Sequence, residues 1–182
     1  MTNRYAQMNC YVLAGGRSNI RDDFKVDGEL TRLEKGFRRY AAVFEKVCLV
    51  LKKQQAREGY LNYPHVCDSH PEHAAVAGLV AALRDADSEA VFIGSADIAD
   101  FPLELVVRLM RSYRGEPFLG YQDARSSQGR YQPWFGIYRR EFAARLEGVL
   151  DGREPDIAHL LAREGRFLPV PNHAAAGSLC MN

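Results

Sequence analysis

The sequence lacks the cysteine pairs and the charge imbalance that mark several large classes of protein. Its four cysteines (Cys10, Cys48, Cys67 and Cys180) are scattered over 182 residues without a CxxC pair, which argues against a disulfide scaffold and a zinc ribbon. The 24 basic and 23 acidic side chains leave a net charge of +1, too small to indicate a nucleic-acid or anionic-membrane binder. We therefore expect reduced thiols and neither a nucleic-acid nor a membrane partner.

Long apolar runs are missing as well. The first seven residues are mostly polar, and the apolar run after them lasts only about five residues, far short of a signal-peptide core or a membrane span. We expect a cytoplasmic protein. The length fits a single domain over residues 1–182, large enough to bury roughly 70% of the surface that its unfolded chain exposes.

What the sequence does contain is a regular alternation of apolar runs of strand length with segments of helical spacing. This alternation is typical of an α/β protein with a largely parallel sheet. One helical stripe is formed by Leu30, Leu33, Phe37, Tyr40, Ala41 and Phe44. We predict strands at 10–14, 47–51, 90–94, 118–121 and 134–138, a short run at 167–170, and helices over 30–44, 74–83, 102–113, 139–150 and 155–163.

The first predicted strand runs into two glycines and an arginine. Residues 13–18 read LAGGRS, and glycine allows backbone N–H groups to approach phosphate oxygens closely. The pattern therefore indicates either a phosphate-binding loop or a tight strand-to-helix turn without a ligand. It is neither a Walker A loop nor a complete GxGxxG, because the glycine spacing differs and no Gly-Lys-Ser/Thr follows.

Residues 13–18, with Lys25 downstream, resemble the signature of the nucleotidyltransferases related to MobA, the molybdenum cofactor guanylyltransferase. Residues 132–140, QPWFGIYRR, are similar to the Q-P-L-F-x-L-Y segment of the guanylyltransferase branch. The segments at 66–68, 77–78 and 92–97 fall in the order and spacing of that family. The resemblance covers nearly the whole chain, and it implies a three-layer Rossmann-like α/β fold with a mostly parallel central sheet.

The resemblance also implies an activity. It predicts a Mg2+-dependent enzyme that transfers GMP from GTP to molybdopterin, with those two molecules and cofactor-pathway proteins as partners. The family's R-M-G-x-D stretch reads Ile20-Arg21-Asp22-Asp23-Phe24 here. A diverged or non-catalytic nucleotide-binding member, or a transferase for another nucleotide or phosphate acceptor, is therefore an alternative.

The resemblance assigns the site residues too. Asp97 ends a predicted strand near the crevice where open α/β sheets bind ligands, and carboxylates suit Mg2+, so it is the predicted metal ligand. Asp100 is either a second ligand or a helix cap. The predicted catalytic residues are Arg17, Lys25 and Asp97. The predicted nucleotide-binding residues are Leu13, Ala14, Gly15, Gly16, Lys25, Asp68, Gly78 and Asp97.

Some residues leave two interpretations open. Asp68 either borders the nucleotide or forms a turn, and Trp134 and Phe135 either line the pterin side of the cleft or belong to the core. Arg21 is a candidate phosphate contact in place of the family's arginine. A neighbouring group has metal-ligand side chains but matches no known zinc spacing: His65, Cys67, Asp68, His70 and His73.

Overall fold

The computed structural model describes residues 8–14, 26–27, 30–52, 63–68, 70, 75–96, 98, 101–122 and 131–171. The strands are β1 (Asn9–Leu13), β2 (Val26–Asp27), β3 (Leu30–Thr31), β4 (Val47–Lys52), β5 (His65–Asp68), β6 (Ala90–Ser95), β7 (Phe118–Gln122), β8 (Tyr131–Arg139) and β9 (Gly165–Pro169). The α-helices are α1 (Arg32–Ala41), α2 (Ala75–Asp85), α3 (Leu103–Ser112), α4 (Ala143–Leu150) and α5 (Ile157–Glu164), with a 3-10 helix at Arg140–Phe142. None of these helices is long and apolar enough to cross a membrane.

Seven strands form one sheet in the order β5-β4-β1-β6-β8-β7-β9, and β2 pairs with β3 in a separate hairpin. Neighbours from β5 to β6 are parallel, β8 is antiparallel to β6 and β7, and β7 is parallel to β9. Parallel strands need crossover connections, and helices α1, α2 and α3 lie within three of them. The predicted, mostly parallel sheet is confirmed, with β8 as its one reversed strand.

Helices cover both faces of this sheet. Tyr11 and Val12 are consecutive in β1 and point to opposite faces, because side chains alternate along a strand. Val12 lies in a buried cluster with Tyr40 of α1 and Leu105 of α3, whereas Tyr11 lies in a second cluster with Leu79 of α2 and residues of α4 and α5. The predicted three-layer architecture is therefore confirmed.

Helix α1 approaches the end of β6 over a glycine. A Cβ added at Gly94 would stand 2.2 Å from Cζ of Tyr40, so no larger residue fits there without displacing the ring. The Tyr40 hydroxyl donates to the carbonyl of Ser95 at 3.5 Å. Burial raises the pKa of this hydroxyl well above its ordinary value, so it stays a donor at neutral pH.

The start of α1 is fixed by a capping box. Thr31 Oγ1 accepts from the backbone N–H of Glu34 at 3.2 Å, and Glu34 Oε2 accepts from the backbone N–H of Thr31 at 2.8 Å. The Tyr63 hydroxyl donates to Glu34 Oε1 at 3.2 Å, and the Tyr63 ring meets Phe37 edge to face with centroids 4.9 Å apart. These contacts tie α1 to the segment that leads into β5.

The predicted bounds of α1 are wrong at both ends. The helix covers Arg32–Ala41 rather than 30–44, because Leu30 belongs to β3 and Phe44, although buried, lies beyond the last turn. Ala41, predicted on the apolar stripe, is exposed. The apolar stripe in the sequence extends beyond the end of the helix, because the turn that follows the helix also packs on the core.

The predicted start of α3 and the predicted helix over 139–150 need correction as well. The N-cap residue of α3 is Pro102, which makes no side-chain capping bond, so the cap position is not Asp100. The chain from 139 to 150 is divided, because β8 continues to Arg139 and the 3-10 turn precedes α4.

Candidate functional site

The strand order reverses between β1 and β6, and we call the place outside the carboxyl ends of these two strands the crevice. β4 and β5 lie on the β1 side, whereas the later strands lie beyond β6. Open α/β sheets bind their ligands outside the carboxyl ends of the strands at such a reversal. The segments that follow β1 and β6 therefore begin as neighbours, and these are the two segments that carry the predicted loop and the predicted metal ligand.

The end of β1 is held on both sides. The Leu13 carbonyl accepts from the N–H of Ala96 at 3.0 Å, and the Ala14 N–H donates to the carbonyl of Val50 at 3.0 Å. Ala14 is only 8% exposed. Leu13 and Ala14, both predicted at the nucleotide, thus bring a rigid backbone up to the crevice. Gly15, Gly16, Arg17, Arg21 and Lys25 lie outside the described residues, so their roles stay predictions.

Gly78 lies against the same part of the sheet. It is buried in α2, and an added Cβ would stand 3.3 Å from Cγ1 of Val50 and 3.5 Å from Cδ2 of Leu13. Glycine therefore allows α2 to pack closely on the ends of β1 and β4. The structure brings Gly78 to Leu13, and its contact with a nucleotide stays a prediction.

The chain turns directly after β6. The N–H of Ile98 donates to the carbonyl of Ser95 at 3.1 Å, and Ala96 and Ile98 are buried. Asp97 and Asp100 lie outside the described residues, so their assignment as metal ligands stays a prediction. The described residues next to them in the sequence, Ala96, Ile98 and Phe101, are buried.

A largely buried ion pair joins the carboxyl ends of β4 and β5. Lys52 Nζ lies 2.5 Å from Oδ2 of Asp68, and the two side chains are 11% and 5% exposed. Oδ1 of Asp68 accepts from the backbone N–H of His70 at 2.8 Å, an Asx turn of the kind that this residue type favours. Asp68 thus has a protein donor on each carboxylate oxygen. Of the two interpretations of this residue, the described contacts support the one in which it forms a turn.

Lys52 is the residue of this edge that sequence reasoning missed. It directly follows the predicted strand over 47–51 and is paired in register with Asp68. A cation immediately after an apolar run in a largely parallel sheet was the available signal, because the carboxyl ends of such strands meet at the ligand-binding edge. Its partner could not be identified from the sequence pattern.

The reversed strand β8 brings its amino-terminal residues to the same edge. Ile93 of β6 is paired with Gly136, so the residues before Gly136 lie toward the carboxyl end of β6. Gln132 is buried, and its Oε1 accepts from the N–H of Trp134 at 3.2 Å. The QPW segment is therefore near the crevice because β8 runs against its neighbours.

The two aromatic residues of that segment differ. Phe135 is fully buried, with its ring centroid 5.2 Å from that of Phe92 and 5.0 Å from that of Phe101, so it belongs to the core. Trp134 is half-buried and packs against the cluster on the opposite face. Of the pair, Trp134 alone keeps exposed surface for a ligand.

Across the part of the chain that the structure describes, no three His, Cys, Asp or Glu side chains lie close enough to hold a metal ion. Nδ1 of His65 lies 2.9 Å from the carbonyl of Tyr63, Cys67 is exposed, and Asp68 is engaged by Lys52. His73 lies outside the described residues.

Comparison with known proteins points to one family. A family model described as a MobA-like NTP transferase domain matches residues 10–166. A curated protein of Aquifex aeolicus (strain VF5), named "Probable molybdenum cofactor guanylyltransferase", is 32% identical over 108 residues, which are 58% of this chain and 53% of that protein. The match therefore spans about half the length of this relative.

Two solved structures share the fold over most of the chain. The Aquifex aeolicus VF5 protein Aq1419 is 26% identical, with a TM-score of 0.71 over 93% of this chain and 91% of that chain. Molybdopterin-guanine dinucleotide biosynthesis protein A from Archaeoglobus fulgidus is 19% identical, with a TM-score of 0.71 over 90% of this chain and 84% of that chain. The second likeness concerns the fold alone, and it agrees with the predicted Rossmann-like nucleotidyltransferase fold.

Proposed function

Because the chain belongs to the MobA-like NTP transferase family, we propose that it transfers GMP from GTP to molybdopterin. An oxygen of the terminal phosphate of molybdopterin attacks the α-phosphorus of GTP. The bond from that phosphorus to the oxygen bridging the β-phosphate breaks, pyrophosphate leaves, and molybdopterin guanine dinucleotide forms. The name of the Aquifex relative supports this choice of reaction.

The observation that carries the proposal is the reversal of strand order between β1 and β6, because the sequence LAGGRS begins at the last residue of β1. The N–H of Ala14 is already bonded to Val50, so donors for phosphate begin at Gly15. Phosphoryl transfer needs positioning and charge neutralisation more than covalent chemistry. In this proposal Arg17 and Lys25 neutralise the triphosphate and the charge that develops during transfer.

Asp97, the proposed metal ligand, supplies a carboxylate, a kind of donor that Mg2+ accepts. It directly follows Ala96 in the sequence, and the N–H of Ala96 donates to the carbonyl of Leu13, two residues before Gly15. Carboxylate oxygens are ligands that Mg2+ accepts together with phosphates and water. The bound ion would neutralise phosphate oxygens and orient them, with Asp97 holding it.

The ion pair on the β4–β5 side of the crevice also has a place in the proposal. A lone carboxylate there would repel a triphosphate. Lys52 compensates the charge of Asp68 at 2.5 Å, so Asp68 can border the nucleotide without that cost. Gly78 acts by letting α2 pack close to the start of the loop.

Thermal unfolding with each nucleotide tests this function. The protein is heated with Mg2+ and GTP, ATP, CTP, UTP or no nucleotide, and the series is repeated with EDTA. A ligand at 100 times its Kd stabilises by about 2.7 kcal/mol, and a domain of this size gains roughly 2–4 °C per kcal/mol. We expect a rise in Tm of about 5–11 °C with GTP that requires Mg2+.

Two variants make the result specific. Asp97→Asn should abolish the Mg2+-dependent part of the rise, whereas Asp87→Asn, at the exposed opposite edge of the sheet, should leave it intact. Incubation with GTP, Mg2+ and molybdopterin should then release pyrophosphate. Firm binding of GTP without release of pyrophosphate would instead indicate a non-catalytic member, and a preference for ATP, CTP or UTP would overturn the choice of GTP.

A further inference from the structure

Helix α1 holds the backbone immediately before Asp97. A Cβ added at Gly36 would lie 3.6 Å from Cα of Ala96, so α1 passes within about one methyl group of that residue. One turn later Tyr40 lies over Gly94 and donates to the carbonyl of Ser95. The last residues of β6 are therefore fixed by the helix as well as by the sheet.

The same helix holds the backbone after Asp100. Nε and Nη2 of Arg39 both donate to the carbonyl of Phe101, at 3.1 and 2.5 Å. Cζ of Arg39 lies 5.5 Å from the centroid of the Phe101 ring, within the range of a cation–π contact. The Phe101 carbonyl precedes the N-cap of α3, so no donor within that helix is expected to satisfy it.

Arg39 makes these contacts although it is exposed. Ordering a long, solvent-facing side chain costs conformational entropy. The two hydrogen bonds of Arg39 fix the backbone at Phe101, and the exposed Arg39 side chain adds nothing to the core. Tyr40 and Phe101 already pack together, with ring centroids 4.9 Å apart. The Arg39 guanidinium also fixes the direction of the Phe101 carbonyl, because its N–H donors lie in one plane.

We propose that Arg39 is a positioning residue for Asp97, the proposed metal ligand. The inference rests on the proposed function, in which Asp97 holds Mg2+. α1 contacts the chain at Ser95 and at Phe101, which lie before and after Asp97 in the sequence. A displacement of about 1 Å at a reacting site can cost about 100-fold in rate, so loss of one anchor should weaken metal binding and turnover.

The test measures metal binding directly. Mn2+ replaces Mg2+ as the probe, with a GTP analogue whose α–β bridging oxygen is a methylene group, and free Mn2+ is measured by electron paramagnetic resonance. For Arg39→Ala we expect the Kd for Mn2+ to rise about 10-fold and kcat with GTP to fall about 10-fold, while KM for GTP changes less than about 2-fold. Arg39→Lys keeps the charge but loses the planar pair of N–H donors. Its Kd for Mn2+ and its kcat should lie between those of Arg39→Ala and the wild type.

The matched control is Arg38→Ala, because Arg38 is also exposed in the last turn of α1. If Arg39→Ala lowers Tm but binds Mn2+ as tightly as Arg38→Ala, Arg39 is only a structural anchor and the inference is overturned. If Arg39→Ala does not fold, Arg39→Lys carries the same comparison.

A double variant separates this inference from the proposed function. In the Asp97→Asn background, Arg39→Ala should weaken Mn2+ binding no further, because the ligand that it positions is gone. If Asp97→Asn alone leaves Mn2+ binding unchanged, the proposed metal site fails and the inference fails with it. If Asp97→Asn weakens binding and Arg39→Ala does not, the positioning role alone fails.

Discussion

Strand β4 has a lysine–aspartate pair at each end, and the two pairs stand in opposite surroundings. At the amino end, Lys46 Nζ lies 3.2 Å from Oδ2 of Asp87, and these side chains are 67% and 68% exposed. At the carboxyl end, Lys52 Nζ lies 2.5 Å from Oδ2 of Asp68, with 11% and 5% exposure. The residue types are the same, so the difference comes from their place in the fold.

This difference shows which edge of the sheet holds desolvated charge. An exposed pair gains little, because water and salt screen both charges. A buried pair has lost its hydration at a cost of several kcal/mol per ion, and it persists only because each charge has its partner. The desolvated pair lies at the edge that contains the crevice, where the proposed function needs oriented charges to bind phosphate.

Removing the buried lysine should have the largest effect. Among the residues that the structure describes, Lys52→Met leaves the buried Asp68 with the N–H of His70 as its remaining partner, and breaking a buried pair in this way costs about 3–5 kcal/mol. Urea unfolding measures this loss. The double variant Lys52→Met/Asp68→Leu should recover most of it, because no unpaired charge remains. A loss below about 1 kcal/mol in the single variant would contradict the comparison.

The loss of stability on removing the half-buried Glu34 side chain should lie between the losses expected for the two ion pairs. Hydrogen bonds from the backbone N–H and then the hydroxyl of Thr31 lower the pKa of Glu34 below its ordinary 4.5. Its stabilisation is thus present above pH 4.5 and is lost as the pH falls through the lowered pKa. Glu34→Ala should cost about 0.3–1.5 kcal/mol at pH 7.

Unfolding of Glu34→Ala and the wild type at several pH values checks this sign. The two free energies of unfolding should converge well below pH 4.5. Glu34→Gln keeps a neutral acceptor for the capping box, so it should depend less on pH than the wild type. A gap between Glu34→Ala and the wild type that stays constant into acid would show that the charge of Glu34 contributes nothing.

The exposed pair should give the smallest effect on stability. Lys46→Met is expected to leave the urea midpoint within error of the wild type. The Lys46 hydrogen bond is the largest cause of the lowered pKa of Asp87, so the same variant should raise that pKa toward its ordinary 3.8. The Asn9 side chain still donates to Asp87 at 2.7 Å and should preserve part of the shift. Carboxyl NMR titration measures it, and an unchanged pKa would show that Lys46 does not act on Asp87 in solution.

The sequence pattern predicted the central strands better than the short ones. β1, β4 and β6 are covered on both faces, so they read as continuous apolar runs. β5 has only four residues at the edge of the sheet, and Cys67 within it is exposed, which weakens any pattern. The direction of β8 could not be predicted, because a run of apolar residues does not record which way its strand points.

The residues of the candidate site also differ in how well the sequence predicted them. Glycine has a distinctive conformational freedom, so the loop after β1 could be predicted from the residue types alone. Lys52 and Arg39 are ordinary cations in the sequence, where a solvated surface role is the usual interpretation. Their partners, Asp68 and the Phe101 carbonyl, lie 16 and 62 residues away along the chain, beyond the reach of local pattern.

By itself, then, the sequence determined the α/β class and the likeness to the MobA-related transferases, because periodicity and residue type are local properties of the chain. Only the tertiary structure decided that Lys52 is buried against Asp68, that Phe135 is core while Trp134 keeps exposed surface, and that α1 contacts the chain at Ser95 and at Phe101. Those outcomes depend on strand order, strand direction and the close packing of helix on sheet, which bring distant residues together and remove some of them from water.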